Sequence, residues 1–322
     1  MRLSSASSMK IFDAARTAEL LPWGAVVDAL ETGFRDGCEM PVRHHHRVQA
    51  PAGEPDATLL LMPAWTAGGY LGVKIATAFP GNASRGLDTI QGSYILASGE
   101  TGEPLALIDG AELTLRRTAA ASALAARFLA RADARRLLVV GTGNLAPHLA
   151  GAHAAVRPDL EVAFWGRRPE RALAASRSSL LEGLATGTAS DLEAAVRGAD
   201  IVSTATLATE PLVQGDWLRA GTHVDLVGGF TPAMREADDE TVRRSTVFVD
   251  TRGGALVEAG DLVQPIESGA LRAEEVAGDL HELCRGLHAG RQDASEITLF
   301  KSVGAALEDL FAAILLWERS GG

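Results

Sequence analysis

The sequence has few cysteines and no long apolar run. Cys38 and Cys284 are its two cysteines, each within an apolar-periodic stretch that gives no reason to pair them, so a disulfide framework is not expected. The first ten residues lack the unbroken apolar stretch of a signal peptide, and no segment reaches the roughly 20 apolar residues that cross a bilayer. We therefore expect a cytoplasmic protein with no membrane partner.

Positive charge is also scarce. The chain has 30 Lys and Arg residues against 41 Asp and Glu, for a formal charge of −11 at pH 7, and no long basic run. This balance argues against a nucleic-acid partner. Apolar residues make up 47% of the chain and charged residues 22%, a composition typical of globular proteins with a substantial core. A small molecule is the expected partner.

The first third of the chain mixes helical and strand patterns. Apolar spacing predicts a helix over 17–34, and an Ala-rich segment predicts a second, long helix over 111–130. Between these helices the sequence predicts strands at 58–62, 70–78 and 105–108. It also predicts a turn at 99–102.

The rest of the chain alternates short apolar runs with helical or turn segments. The runs that predict strands are 137–140, 161–165, 185–189, 200–204, 222–227 and 246–250. Such alternation is typical of a parallel sheet covered on both faces. A last helix is predicted over 297–317, with Glu308 and Asp309 opposite its apolar stripe.

These patterns predict an α/β fold of two domains. A Rossmann-type parallel-sheet domain, residues 117–294, is inserted between segments of an α+β domain, residues 1–116 and 295–322. The inserted domain is expected to bind a nucleotide.

A glycine-rich turn follows the predicted strand 137–140. Gly141-Thr-Gly143-Asn-Leu-Ala146 has the form G-x-G-x-x-A: the first glycine permits a tight turn, the second lets a pyrophosphate approach the backbone, and Ala146 allows close helix packing. The helix that follows offers unpaired N–H groups to phosphates. The motif alone is weak, but its strand, helix and following alternation favour a nicotinamide-dinucleotide site over a simple turn.

The end of the next predicted strand bears on the choice of cofactor. An NAD-specific domain usually offers an acid there to the ribose 2′-hydroxyl, whereas this chain has Gly166-Arg167-Arg168. Two arginines suit a 2′-phosphate, although exposed arginines before Pro169 could also form a solvated turn. NADPH is therefore predicted, with NADH as the alternative.

Several segments outside the glycine turn match one known family. They are Pro41–Arg43, Leu61–Pro63, Gly72–Lys74, Phe79–Asn82, Leu113–Ser122, Asp200–Thr206 and Phe300–Gly304. On these segments the chain resembles the ornithine cyclodeaminase/mu-crystallin family over nearly its full length. The resemblance implies a Rossmann domain within an outer, substrate-binding domain, and a homodimer. The family includes cyclodeaminases, L-alanine dehydrogenase-like enzymes, reductases of cyclic imines and mu-crystallin-like binding proteins.

One difference from the cyclodeaminase sequence pattern bears on which reaction of the family is expected. Their pattern implies an acid/base aspartate after Val-Gly-Gly, but here Val227-Gly-Gly229 is followed by Phe230. Asp225 lies earlier on the predicted strand, and the sequence does not say which way it faces. The stretch 224–236 and Arg43–Arg47 are most similar to the Δ1-pyrroline-2-carboxylate reductase branch.

The resemblance therefore implies NAD(P)H-dependent reduction of a cyclic ketimine acid in proline metabolism. Δ1-pyrroline-2-carboxylate would give L-proline, and Δ1-piperideine-2-carboxylate would give L-pipecolate. Ornithine cyclodeaminase, an L-alanine dehydrogenase-like enzyme and, with less support, a non-catalytic mu-crystallin-like binding protein are the alternatives.

A cyclic imino acid needs a cationic partner for its carboxylate and a proton donor for its nitrogen. Arg43 can bind a carboxylate through two parallel hydrogen bonds. Lys74, on one strand face with Gly72 and Ala76, is the expected catalytic residue, either as the acid or as a carboxylate ligand. Burial would lower its pKa from about 10.4 towards neutrality and ease proton transfer.

The three histidines at 44–46 are not expected to form a metal site, because consecutive strand residues alternate faces and cannot converge on one ion. One of the histidines could line the substrate pocket and contribute a proton, since imidazole titrates near neutral pH. His46 is the candidate, but it shares a strand face with His44, and nothing local decides between the two. Arg117 is implied to bind the substrate carboxylate or the cofactor pyrophosphate, while Arg116 is expected to form structural ion pairs.

The cofactor-binding set combines the glycine turn with residues implied by the resemblance. Ser302 could instead cap the final helix. The set is Arg117, Gly141, Thr142, Gly143, Asn144, Leu145, Arg167, Arg168, Thr204, Ala205, Thr206, Val227 and Ser302.

Overall fold

The computed structural model describes residues 9–51 and 53–322, except the side chain of Ala83. The first eight residues of the segment considered above for a signal peptide lie outside this range. The chain divides into two compact units: unit 1 holds the described residues up to Arg117 together with Ala306–Gly322, and unit 2 is Thr118–Ala305.

Unit 1 is built on a six-stranded sheet. Its strands are β1 (Lys10–Phe12), β2 (His44–Val48), β3 (Ala57–Trp65), β4 (Tyr70–Ala78), β5 (Ile90–Ser98) and β6 (Pro104–Asp109). They lie in the order β1-β6-β5-β4-β3-β2. Strands β2 to β6 form an antiparallel meander, and β1 pairs parallel to β6. A short 3-10 helix, Pro80–Arg85, lies between β4 and β5.

The helix predicted over 17–34 is two helices, α1 (Ala14–Leu20) and α2 (Trp23–Asp36). Pro22 causes the break, because proline has no backbone N–H and disfavours helical geometry in the residue before it. Leu21 has left the helical region at φ −116° and ψ 62°. The apolar spacing nevertheless continues across the break, since both helices contribute buried residues to one core.

The buried face of the unit 1 sheet packs against the C-terminal helix, Ala306–Arg319, which in turn packs against α2. The alternation of β4 places Gly72, Lys74 and Ala76 on this face. Tyr94 of β5 lies directly opposite Lys74 and is fully buried. The opposite, outer face of the sheet is apolar but only half-buried, through Leu59, Leu61, Val73, Ile75, Ile95 and Leu107.

Unit 2 is a doubly wound parallel sheet, which confirms the predicted fold class. Its strands are β7 (Arg136–Val140), β8 (Glu161–Trp165), β9 (Ala185–Thr188), β10 (Ile201–Thr204), β11 (His223–Leu226), β12 (Ser245–Val249), β13 (Gly278–Asp279) and β14 (Ile297–Lys301). They lie in the order β13-β12-β14-β11-β10-β7-β8-β9. This arrangement is the Rossmann pattern with additional strands beyond β11.

Helices connect these strands. The long helix α3 (Gly110–Leu129) carries the chain from unit 1 into unit 2. The others are α4 (Leu145–Val156), α5 (Pro169–Ser176), α6 (Leu192–Gly198), α7 (Asp239–Arg243), α8 (Arg252–Glu258), α9 (Gly260–Ser268) and α10 (Leu280–Cys284). Short 3-10 helices occur at Ser179–Leu181, Gly215–Trp217 and Ala273–Glu275. None of the helices in the described residues is both long and apolar enough to cross a membrane.

The segment predicted as one helix over 297–317 is instead β14 followed by the C-terminal helix. Strand β14 is inserted between β11 and β12, and all five of its residues are buried. A strand covered on both faces has no polar alternation, so a short apolar run of this kind cannot be distinguished from a helix by its spacing. The chain consequently returns to unit 1 at Ala306 rather than at residue 295, and its first crossing lies one residue later than predicted.

Gly72 is a position where packing requires glycine. A Cβ added there would overlap the ring and hydroxyl of the buried Tyr94, so Gly72→Ala is expected to lower the free energy of unfolding by about 1–3 kcal/mol. Gly24 in α2 is the matched control, because an added Cβ would meet no heavy atom within 4 Å; Gly24→Ala should raise stability by about 0.5–1 kcal/mol. Urea unfolding measures both changes, and a Gly72→Ala protein as stable as wild type would contradict this packing.

Candidate functional site

The glycine turn of unit 2 lies at the carboxyl end of β7, where the strand order reverses between β7 and β10. Gly141 has φ +131°, and an added Cβ would lie 2.5 Å from the carbonyl oxygen of Ala205. A Cβ added to Gly143 would meet no heavy atom within 4 Å, so the backbone there is open to approach. Asn144 precedes α4, which begins at Leu145. This is the geometry in which a helix N-terminus binds a pyrophosphate.

A cavity of about 460 Å³ adjoins the turn. Of the predicted cofactor residues, it is lined by Gly141, Thr142, Gly143, Arg167, Arg168, Ala205 and Thr206. Trp165, Gly166 and the loop after β10 complete the lining, and that loop supplies a carboxylate, Glu210, which the sequence analysis did not single out. The glycine backbone, the helix N-terminus and the two arginines fit the phosphates and ribose of a dinucleotide.

Three further predicted residues lie at the carboxyl edge of the same sheet. Thr204 ends β10, and its carbonyl accepts a hydrogen bond from the N–H of Val227 at 2.9 Å. Ser302 follows β14, and its N–H donates to the carbonyl of Leu226 at 3.2 Å. Because β10, β11 and β14 are neighbours, the structure brings these residues together beside the glycine turn.

A buried carboxylate that the sequence analysis missed holds the loop after β10. Glu236 accepts hydrogen bonds from the Thr204 hydroxyl at 2.6 Å and from the Thr206 N–H at 2.7 Å. Its own N–H donates to Asp261 at 2.7 Å, and Asp261 accepts from Lys301 Nζ at 3.0 Å. Burial raises the pKa of Glu236 to about 7, Lys301 opposes this rise and Asp261 adds to it. The loop after β10, which lines the cavity, is thus held in place by hydrogen bonds to the buried Glu236.

Asp225 faces the interior of unit 2. It is fully buried, and its carboxylate accepts hydrogen bonds from Ser122 at 3.0 Å and from Ser203 at 2.5 Å. The imidazole of His153 lies 3.5 Å from it. Phe230, in contrast, is 39% exposed. Asp225 therefore does not replace the aspartate that is missing at position 230.

Unit 1 contains a buried cluster of two cations and two anions. Lys74 is 6% exposed, and its Nζ lies 3.3 Å from Asp309 Oδ1. Arg117 donates from Nε to the same oxygen at 3.2 Å and from a terminal nitrogen to Glu308 at 2.7 Å. Both carboxylates have no solvent exposure. The predicted residues Lys74 and Arg117 thus meet around Asp309.

The environment of Lys74 makes it a ready proton donor. Burial lowers the pKa of Lys74 to about 8; Asp309 opposes this shift, whereas the nearby Arg117 adds to it. An acid with such a pKa is mostly protonated at neutral pH, yet it releases its proton more easily than an ordinary lysine.

The acids Glu308 and Asp309 were the main omission from the predicted site of unit 1. Their position opposite an apolar stripe is typical of a solvated helix face, but the structure buries both. The sequence signal that could have revealed them was the pair of adjacent acids in a largely apolar helix. Arg116 forms the predicted structural pair, with Glu112 at 2.6 Å, and also donates to the Leu21 carbonyl.

The strand register separates His46 from Lys74. His46 pairs with Leu59, whereas Met62 pairs with Lys74. Directly paired residues share a sheet face and successive residues alternate, so His44 and His46 lie on the outer face, opposite Lys74. The register, which the local sequence does not reveal, puts His45 on the Lys74 face instead, so the substrate role of His46 stays a prediction.

His44 and His46 approach each other with ring centroids 6.3 Å apart. Across the described residues, no three His, Cys, Asp or Glu side chains are grouped to hold a metal ion.

Arg43 is half-buried and immediately precedes β2. Its neighbour His44 pairs with Leu61. Leu61 in turn pairs with Ile75, the neighbour of Lys74 in β4, so the strand that follows Arg43 is two strands from β4 in the same sheet.

Comparison with known proteins agrees with these features. The sequence model of the ornithine cyclodeaminase/mu-crystallin family matches residues 9–322. The Δ1-pyrroline-2-carboxylate reductase of Paracoccus denitrificans is 44% identical over 299 residues, which cover 91% of each chain. The predicted family is thereby confirmed.

Solved structures of the same kind superpose on the whole chain. The Δ1-pyrroline-2-carboxylate reductase of Thermococcus litoralis, in complex with NADH and L-proline, has a TM-score of 0.88 at 32% identity and covers 97% of each chain. An archaeal alanine dehydrogenase dimer with bound NAD has a TM-score of 0.85 at 28% identity, covering 97% of this chain and 96% of that one. The chain belongs to the ornithine cyclodeaminase/mu-crystallin family.

Proposed function

We propose that the protein is an NAD(P)H-dependent reductase of cyclic ketimine acids, converting Δ1-pyrroline-2-carboxylate to L-proline and Δ1-piperideine-2-carboxylate to L-pipecolate. The observation that carries the proposal is the buried Lys74 ammonium, which shares Asp309 with Arg117. Relatives support it: the 44% identical protein of Paracoccus denitrificans is a reductase of the five-membered imine, and the Thermococcus litoralis structure holds NADH and L-proline.

The residues of unit 1 have two roles, binding of the substrate carboxylate and donation of a proton to the substrate. Arg117 and Arg43 bind the carboxylate, because planar guanidinium groups match its two oxygens. Lys74 donates a proton to the ring nitrogen. Unit 2 binds the cofactor through the glycine turn and the N-terminus of α4. NAD(P)H, when bound, supplies the hydride that the C=N carbon accepts.

The positions of the other carboxylates count against cyclodeamination. Phe230 stands where that mechanism needs an acid, and Asp225 is hydrogen-bonded in the interior. A mu-crystallin-like binding protein without catalysis needs no proton donor, yet the chain buries Lys74 at the cost of desolvating its charge.

Activity assays provide the principal test. Wild-type protein is expected to oxidise NADPH or NADH when given the five-membered cyclic imine, but not with pyruvate plus ammonia, and not to release ammonia from ornithine. Lys74→Ala should lower kcat/KM for the imine by about 100-fold or more, the usual contribution of a general acid. Lys10→Ala, in β1, is the control and should retain wild-type activity. A wild-type protein that fails to reduce the imine would contradict the proposed reductase function.

We further propose that NADPH is preferred, with NADH as the second cofactor. Arg167 and Arg168 line the cavity at the end of β8, where no acid is present to bind a ribose 2′-hydroxyl. Both arginines are exposed, so each is free to turn towards a 2′-phosphate.

Cofactor kinetics test this preference. The double variant Arg167→Ala/Arg168→Ala is expected to raise KM for NADPH about tenfold, a modest loss for exposed charge-assisted hydrogen bonds. KM for NADH should change less than about twofold, because it has no 2′-phosphate for the arginines to bind. Arg171→Ala, an exposed arginine of α5 outside the cavity lining, serves as the control. Equal effects on both cofactors would contradict the 2′-phosphate role.

A homodimer is the assembly we propose, formed through the outer face of the unit 1 sheet. This face presents half-buried Leu61, Val73, Ile75 and Ile95, and apolar patches of this kind mark protein interfaces. The archaeal alanine dehydrogenase is itself a dimer. A second copy of the same sheet would cover the patch by face-to-face packing at about 10 Å.

Light scattering tests the interface. The double variant Val73→Glu/Ile75→Glu is expected to shift the protein from dimer to monomer, because four carboxylates would then face one another across a two-fold interface. Gln91→Glu adds charge on the same sheet face, at an exposed position near the start of β5, and should leave the dimer intact. A double variant that remains dimeric would place the interface elsewhere.

A further inference from the structure

Asp309 touches both cations of the unit 1 cluster. It lies in the first turn of the C-terminal helix without solvent exposure. Its carboxylate oxygens lie 3.3 and 3.4 Å from Lys74 Nζ, and one of them also accepts a hydrogen bond from Arg117 Nε at 3.2 Å. A single carboxylate therefore sets the relative placement of the two groups.

The contact with Asp309 does not use every N–H bond of the ammonium. Lys74 has three N–H bonds, and Asp309 accepts from Nζ through both oxygens at nearly equal distances. Within residues 9–51 and 53–322, Nζ has no hydrogen-bond acceptor other than Asp309. The ammonium is thus anchored on one side by Asp309, while its remaining N–H bonds are not consumed by the protein.

Three charged groups from two elements act on the charge of Lys74, and Tyr94 from a third element lies opposite it. Burial lowers the pKa of Lys74, and Asp309 opposes this most strongly; Arg117 of α3 lowers it further, and Glu308 raises it by less. Tyr94 of β5 faces the same cluster, but burial raises the pKa of its hydroxyl well above the ordinary value, so it stays neutral. Without Asp309, burial and Arg117 would be opposed by Glu308 alone.

We propose that Asp309 is a positioning residue of imine reduction, which aims the Lys74 ammonium at the substrate nitrogen and keeps it protonated inside the protein. This inference rests on the reductase function proposed above. In the reduction, the C=N carbon gains a hydride from the dihydronicotinamide, which is thereby oxidised, and the nitrogen gains the proton of Lys74. Lys74 is left as a neutral amine that takes a proton from water before the next turnover, while Asp309 remains a carboxylate.

The pH dependence of kcat/KM distinguishes positioning from a purely structural role. Because the acid form of Lys74 is the active one, wild-type imine reduction should decline as the pH rises through the Lys74 pKa of about 8. In Asp309→Asn the loss of the counter-ion lowers that pKa, so the alkaline limb should move down by about one pH unit or more. At a pH of about 5.5, where Lys74 is still protonated, the variant should keep activity within about tenfold of wild type.

Glu308→Gln is the matched control. Glu308 is the adjacent buried carboxylate, and it contacts Arg117 at 2.7 Å. Removal of the Glu308 charge should act mainly through Arg117 and raise KM. The alkaline limb of the kcat/KM profile should move less than half as far as it does in Asp309→Asn. An Asp309→Asn limb that stays in place, with an equal loss of activity at every pH, would overturn the proposal.

Lysine titration by NMR provides a readout that does not depend on turnover. Lys10, Lys74 and Lys301 are the lysines of the whole sequence, so 13Cε-lysine labelling yields a spectrum of three side chains, and Lys74→Arg identifies its signal. The Lys74 signal should titrate near pH 8 in wild type and at lower pH in Asp309→Asn. If wild-type protein reduces no imine, the reductase proposal fails, whereas this titration still tests the effect of Asp309 on Lys74.

Asp309→Glu replaces the asparagine variant if the latter does not fold. It keeps the charge but displaces it by one methylene, so kcat should fall by about tenfold or more, as expected for a misplaced catalytic group. An Asp309→Glu protein with wild-type kcat and an unmoved Lys74 titration would contradict the positioning role.

Discussion

A buried ammonium needs a buried counter-ion, and this requirement organises unit 1. Lys74 sits on the inner face of a sheet otherwise packed with apolar side chains, where an isolated charge would be strongly destabilising. Asp309 meets it from a helix 235 residues further along the chain. The C-terminal helix therefore does more than cover the sheet, because it delivers the charge that allows a protonated lysine to persist there.

Unit 2 uses interior charge in a similar way, although for a different purpose. Glu236 and Asp261 are fully buried, and their oxygens accept hydrogen bonds from backbone N–H groups, hydroxyls and Lys301. Asp250 likewise accepts from the N–H groups of Val303 and Gly304. Such saturated networks rigidify the loops that they hold. The carboxyl edge of the sheet, which carries the glycine turn, is thereby held in place.

Three differences between sequence and structure have separate physical causes. Pro22 divides a continuous apolar spacing into two helices, since side-chain periodicity does not record a missing backbone donor. Strand β14 was predicted as helix because full burial removes the alternation by which strands are usually recognised. The register puts His44 and His46 on the sheet face opposite Lys74, which the sequence did not predict, because the pairing of two strands is not a local property.

The sequence by itself determined the fold class, the glycine turn and the family, and it predicted a catalytic role for Lys74, because each of these depends on motifs that are short stretches of the chain. Short-range spacing is sufficient for a strand, a tight turn and a helix N-terminus. Only the tertiary structure decided which side chains surround Lys74, where Asp225 points and what fixes the loop after β10. Their partners lie on elements distant in sequence, and contacts of that kind are set by packing and register rather than by any local pattern.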